Sequence, residues 1–137
     1  EELGISTSTA FLDYIFAPPT LRRNIGVLGL LHKRVLGLCH PAFETLLPFF
    51  RERIGFNVAG RHNKQLYSHC MEVVGQVALF KRSIFGMTDI YNRLIQNGVD
   101  CNSVSSFQAG LTRTTRARCE NADPNWLYAF DSRADKR

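Results

Sequence analysis

The chain has no long apolar run, no Cys-x-x-Cys, no glycine-rich phosphate loop and almost no adjacent acids. Its longest apolar stretch, Ile25 to Leu31, contains two glycines, and Lys33 and Arg34 follow closely. A spanning helix needs about 20 apolar residues, so no transmembrane span is expected. Neither G-x-G-x-x-G nor G-x-x-x-x-G-K-[ST] occurs, which removes the usual nucleotide-cradling loops. Glu1-Glu2 are the sole adjacent pair among twelve acids, so paired carboxylates for two-metal or acid/base chemistry are missing. Nucleophilic catalysis needs a nucleophile, a base and an orienting group, and no local signature such as G-x-S-x-G marks one. No catalytic residue is therefore expected.

Cysteine is scattered at 39, 70, 101 and 119. Wide spacing in a chain with ample core material favours reduced, mostly buried thiols over a disulfide framework. Cys39-His40 and His69-Cys70 carry zinc-type ligands, but adjacent residues on a helix point apart, so no metal site is expected. His32, His40, His62 and His69 could each ligate a pigment or haem, but lone histidines form no motif, and no cofactor is expected. The chain begins Glu1-Glu2-Leu3 without Met or a basic-then-apolar leader, as a processed form or a piece of something longer would. Thiol usage favours an intracellular, reducing compartment; an organelle, the nucleus and the cytoplasm all fit.

What is present is a core and positive charge. The 137 residues are 45% hydrophobic, with ten phenylalanines, enough for one domain with a real interior. Thirteen arginines and four lysines give a net charge of +5, and arginine suits phosphate or carboxylate partners.

Apolar spacing predicts helices throughout. Phe11, Leu12, Ile15 and Phe16 share one helical face, with Ser8 or Thr9 as cap and Pro18-Pro19 as stop. Thr20 is expected to cap the best helix, with Leu21, Ile25, Leu28, Leu31, Val35 and Leu38 as its stripe. Arg22, Arg23, Lys33 and Arg34 then fall off the stripe, Gly26, Gly29 and Gly37 permit close helix packing, and His40-Pro41 ends the helix. Pro41 to Leu47 reads as a short helix, and Phe49 to Lys64 as irregular and basic. Leu66, Cys70, Val73, Val77 and Phe80 recur at helical spacing, with a strand as the alternative. Thr88-Asp89 is a candidate cap for a helix ending at Asn97-Gly98. Ser103 is a cap for one burying Val104, Phe107 and Leu111, and Asp123-Pro124 opens one with Trp126, Leu127 and Phe130. The fold class is all-α: a small irregular domain of about six helices, residues 1–130, with a basic central loop and a charged, frayed tail over 131–137.

Beside the basic cluster Arg22-Arg23 with Lys33-Arg34, two further basic clusters are candidate contacts for nucleic acid or an acidic partner. One is Arg51, Arg53, Arg61, His62 and Lys64, interleaved with Phe49, Phe50 and Phe56. The other is Arg113, Arg116 and Arg118. Basic residues beside aromatics can hold a single strand by phosphate contact and stacking.

Longer stretches carry a resemblance. Leu21-Arg22-Arg23-Asn24-Ile25-Gly26-Val27-Leu28-Gly29-Leu30-Leu31-His32-Lys33-Arg34-Val35-Leu36-Gly37 resembles a segment near the C-terminus of non-LTR (LINE-like) retrotransposon reverse-transcriptase polyproteins of the dinoflagellate type. Arg61-His62-Asn63-Lys64-Gln65-Leu66, Arg82-Ser83-Ile84-Phe85-Gly86-Met87-Thr88-Asp89-Ile90-Tyr91-Asn92-Arg93-Leu94 and Val104-Ser105-Ser106-Phe107-Gln108 extend it over roughly residues 15 to 112. Ile95 stands where the family has proline after its aromatic-Asn-x-Leu, so the helix is expected to run on to Asn97. The family's polymerase aspartates and zinc knuckle have no counterpart here. The resemblance implies a non-catalytic, mainly helical segment of the kind that follows a polymerase thumb, with RNA as a candidate partner. Such a segment could equally have been captured as a small structural subunit of a larger protein or ribonucleoprotein assembly. That is the preferred expectation, with an RNA- or DNA-binding accessory domain of a retroelement as the alternative.

Overall fold

Ser6 opens the first helix, its hydroxyl oxygen accepting the Thr9 N–H at 3.2 Å. The computed structural model describes residues 4–14, 16–49, 62–67 and 83–131. Helix α1, Thr7–Tyr14, buries Phe11 and half-buries Leu12. Phe16 lies past its end and is 65% exposed, so the expected four-residue face shrinks.

Helix α2 spans Pro19–Val35. Pro18, not Thr20, occupies the cap position in an extended conformation (φ −60°, ψ 151°). Pro19 at the first helical position loses an N–H that has no intrahelical partner anyway, so the Pro-Pro pair starts α2, whereas α1 has already ended at Tyr14. Leu21, Ile25, Leu28 and Leu31 are buried as the spacing predicts. The helix does not reach His40. Gly37 takes φ +74°, its N–H donates to Arg34 O, and the Leu38 N–H donates to Lys33 O. This Schellman closure turns Leu38 out of the expected stripe to 61% exposure. Arg34 moves the other way: it is buried, and its Nε donates to Leu47 O at 2.8 Å. Of the three glycines, Gly29 alone serves close packing, because a Cβ there would overlap the Gln108 side-chain amide; Gly26 has open space.

Helix α3, Pro41–Leu46, is capped by the His40 imidazole, whose Nδ1 accepts the Ala42 N–H at 3.1 Å. Phe49 then pairs with Leu66 in an isolated antiparallel bridge, and the Tyr67 N–H reaches Pro48 O at 2.8 Å. Leu66 is therefore extended rather than helical; Cys70, Val73, Val77 and Phe80 lie outside the described residues.

Helix α4 spans Ile84–Asn92 and starts at Ser83. Thr88 is buried mid-helix, its hydroxyl donating back to Phe85 O at 2.7 Å, so the Thr88-Asp89 cap is overruled. The helix stops at Arg93 despite the missing proline. Ile95 becomes the extended cap of α5, the single turn Gln96–Val99, which contains Gly98 rather than ending before it. Helix α6, Val104–Glu120, is capped by Ser103 as expected and buries Phe107, Leu111, Thr115 and Cys119 at four-residue intervals. Asp123 opens only a 3-10 turn, Trp126–Tyr128, not a full helix. Trp126 stacks on Phe11 at 5.1 Å with planes 3° apart. Asp131 is buried rather than frayed; residues 132–137 lie outside the described set.

The architecture is all-α, with no strand element among the described residues. Helices α2 and α6 form its axis. Phe107 near the start of α6 stacks on His32 near the end of α2, and Arg116 farther along reaches Leu12 O in α1, so the two run antiparallel. Helix α4 packs on α2, and α1 on α6. No helix among the described residues is long and apolar enough to cross a membrane.

Candidate functional site: a buried histidine–tyrosine centre and a basic surface

Where α2, α4 and the loop after α5 meet, Tyr91 is gripped from both ends. His32 Nδ1 lies 2.9 Å from the Tyr91 hydroxyl, and His32 Nε2 lies 2.8 Å from Cys101 O. A carbonyl only accepts, so Nε2 carries the proton and Nδ1 accepts from the tyrosine. His62 repeats the arrangement: its Nε2–H donates to Tyr91 O at 2.9 Å, and its Nδ1 accepts the Lys64 N–H at 3.0 Å. Its ring also meets the Tyr91 ring edge-on at 5.4 Å. Both imidazoles are thereby held neutral, in the same tautomer.

The electrostatics agree. Burial pushes the His32 pKa below its ordinary value, aided by the nearby Lys64 and His62 and opposed by the Cys101 carbonyl. Burial likewise lowers His62, with Lys64 acting in the same direction and the Tyr91 carbonyl and Asp100 opposing. The Tyr91 phenol is pushed far up by burial, so it stays protonated and able to donate.

The segment 62–67 is fastened around this centre by polar bonds. Asn92 grips both backbone groups of Leu66. Gln96 accepts the Asn63 N–H at 3.0 Å and donates to Asn63 Oδ1 at 2.9 Å. Lys64 Nζ donates to Val99 O at 2.9 Å and lies 3.5 Å from Asp100.

This placement corrects part of the basic-cluster expectation. His62 is not a surface contact: it is 2% exposed and neutral, because carbonyl and amide partners enclose it. Lys64 is half-buried with its ammonium engaged inward. Arg51, Arg53 and Arg61 lie outside the described residues. On α6, Arg113 is exposed, whereas Arg116 donates to Leu12 O at 2.7 Å and faces Glu120, and Arg118 pairs with Asp123 at 2.8 Å. The three arginines therefore do not act as one free patch. The Asn125 N–H and then the Arg118 guanidinium hold the Asp123 carboxyl below its usual range.

One exposed and one buried arginine instead pair with aromatics that spacing alone did not connect. Arg22 lies over the Phe16 ring at 5.7 Å and Arg34 over Phe49 at 4.3 Å. Tyr14, Leu38, Leu46 and Ile95 are also exposed. Helix α2 carries no acid and α6 only Glu120, so positive charge concentrates on the two packed axial helices.

As for ligand-holding groups, both ring nitrogens of His32 and His62 are already bonded, leaving no lone pair for a metal or haem iron. Among the described residues no three His, Cys, Asp or Glu side chains gather as a metal-binding group. Cys39, Cys101 and Cys119 are free thiols, and burial pushes the Cys119 thiol up, away from reactive thiolate. Compared with protein-family models, curated proteins and solved structures, the chain matches none.

Proposed function

We propose that this chain is a non-catalytic helical interaction module, a small basic subunit that docks by protein–protein contact into a larger assembly. Its ancestry in this reading is the retroelement segment it resembles. The observation that carries the reading is the exposed Phe16 ring held under Arg22 at the junction of α1 and α2. Arginines and aromatics are the residues that dominate protein interfaces, and an arginine that already rests on a ring loses little freedom on docking. The acid-free α2 fits a partner with acidic groups around an apolar contact.

The test is co-sedimentation from source cells, with and without nuclease, at low and high salt, for the native chain and for Phe16→Ser. The expected result is a native chain that stays in its heavy fraction through nuclease and salt, and a variant that leaves it. Release of the native chain by nuclease or by salt would replace this reading with the RNA- or DNA-binding alternative, since phosphate contacts need the nucleic acid and weaken steeply with salt.

A further inference from the structure

Segment 62–67 is held to α4 and α5 by hydrogen bonds whose pattern depends on one uncharged ring. His62 donates through Nε2 to Tyr91 O and accepts through Nδ1 from the Lys64 N–H. A second proton can only go to Nδ1. There it would face another N–H instead of an acceptor, so protonation does not merely charge the ring but removes the bond that shapes the segment. We propose that His62 is an acid-sensitive latch, whose protonation releases residues 62–67 from α4 and α5 while the α2–α6 axis stays folded.

The groups around the ring favour this outcome. Its own segment contributes the Lys64 ammonium, which repels an imidazolium. Helix α2 contributes His32, itself neutral and tautomer-locked. Helix α4 contributes Tyr91, whose phenol is spent on His32, and the uncharged Asn92. The loop after α5 contributes Asp100, the one group there that would welcome a cation. Its carboxylate faces the Lys64 ammonium and accepts from Gln96 Nε2 at 2.8 Å.

Release would be local because the rest of the latch is local. The Asn63, Lys64 and Leu66 amides bond to Gln96, His62 and Asn92. None of these bonds involves the α2–α6 seam, which is closed by Leu21, Leu28, Phe107 and Leu111. Opening would uncover Leu66 and separate it from Phe49, changing the apolar surface beside α3. His32 is a weaker trigger, since a second proton on its Nδ1 would face a hydroxyl oxygen that can turn and accept.

Amide hydrogen exchange of the full chain, read residue by residue between pH 8 and pH 5 and corrected for intrinsic rates, tests the latch. The protection of Lys64 and Leu66 is expected to fall by up to about tenfold per pH unit below the ordinary imidazole range, while Leu28 and Leu111 hold theirs. The nitrogen signals of the His62 ring should change from singly to doubly protonated over the same interval. Protection that stays flat at Lys64 and Leu66, or that is lost at all four positions together, overturns the proposal. So does a His62 ring that remains neutral while the segment opens. In His62→Gln the pH dependence at Leu66 should vanish, and its persistence would overturn the proposal; if that variant does not fold, the ring titration of the native chain decides.

Discussion

Asn92 holds Leu66 at both ends of its peptide group pair: Asn92 Oδ1 accepts the Leu66 N–H at 2.8 Å, and Asn92 Nδ2 donates to Leu66 O at 2.8 Å. The side chain does what a neighbouring strand would do, from the last residue of a helix. This is how a buried stretch without a sheet satisfies its backbone.

Replacing Asn92 should be costly. Asn92→Ala leaves a buried donor and a buried acceptor unpaired, each worth about 1–3 kcal/mol. A loss of about 2–6 kcal/mol is expected from urea unfolding, and Asn92→Asp, which keeps only the acceptor, should also lose stability. A change below about 0.5 kcal/mol would show that the segment is not fastened there.

Two glycines in α2 should respond with opposite sign. Gly26→Ala adds a methyl into open space on an exposed helical position and should stabilise by about 0.5–1 kcal/mol. Gly29→Ala drives a Cβ into the end of the Gln108 side chain, which must swing aside and give up its bond to Ile25 O, so it should destabilise by up to about 1 kcal/mol. Thermal melts of the two variants beside the native chain check both signs.

The ends of the axial helices give a second contrast. Gly37 and Ala122 occupy the same left-handed position after α2 and α6, at φ +74° and φ +57°. The N–H of Ala122 donates to Cys119 O and that of Asp123 to Arg118 O, repeating the closure at Gly37. Ala122→Gly should therefore raise stability by up to about 1 kcal/mol, and Gly37→Ala should lower it by about 1 kcal/mol. Urea midpoints of the pair decide it.

Global stability should depend on pH through His32 and His62. Both are lowered in the folded chain from the ordinary value of 6.5. As pH falls the unfolded chain takes up these protons first, so their contribution is fully present above 6.5 and is lost below it, toward the folded values. The slope for each histidine is at most about 1.4 kcal/mol per pH unit. Urea midpoints at pH 8 and pH 5.5 should differ in this direction in the native chain, and the difference should shrink in His32→Gln.

Local signals in the sequence survived folding where nothing distant competed. The Ser103 cap with Phe107 and Leu111, and the Leu21-to-Leu31 stripe, read correctly because cap and periodicity act within one helix. The Thr88-Asp89 cap failed because α4 begins at Ser83 and buries Thr88, which then bonds inside its own helix. Helical spacing puts Arg34 off the apolar stripe, yet Leu47 O, thirteen residues on, provides an acceptor within. Its neighbours in sequence group His62 with surface cations, yet the carbonyl that makes it a core residue comes from position 91. Nothing in the local spelling of His62-Asn63-Lys64 announces that partner. Loop lengths and chain reversals decide it, and neither is written in short-range pattern.

The grip on Tyr91 also sets an order for folding. His32 reaches Tyr91 across 59 residues and, with its other nitrogen, Cys101 O across 69, while His62 reaches Tyr91 across 29. Each closure costs chain entropy before its bond can form, whereas helices α2 and α6 need only neighbouring residues. The helices can form first, whereas the tyrosine centre and the α2–α6 seam, where Gln108 Nε2 donates to Ile25 O across 83 residues, close later, when separated stretches arrive together. Substitutions there should mainly quicken unfolding and leave the folding rate little changed, so this small polar knot governs how long the folded molecule lasts more than how fast it is made.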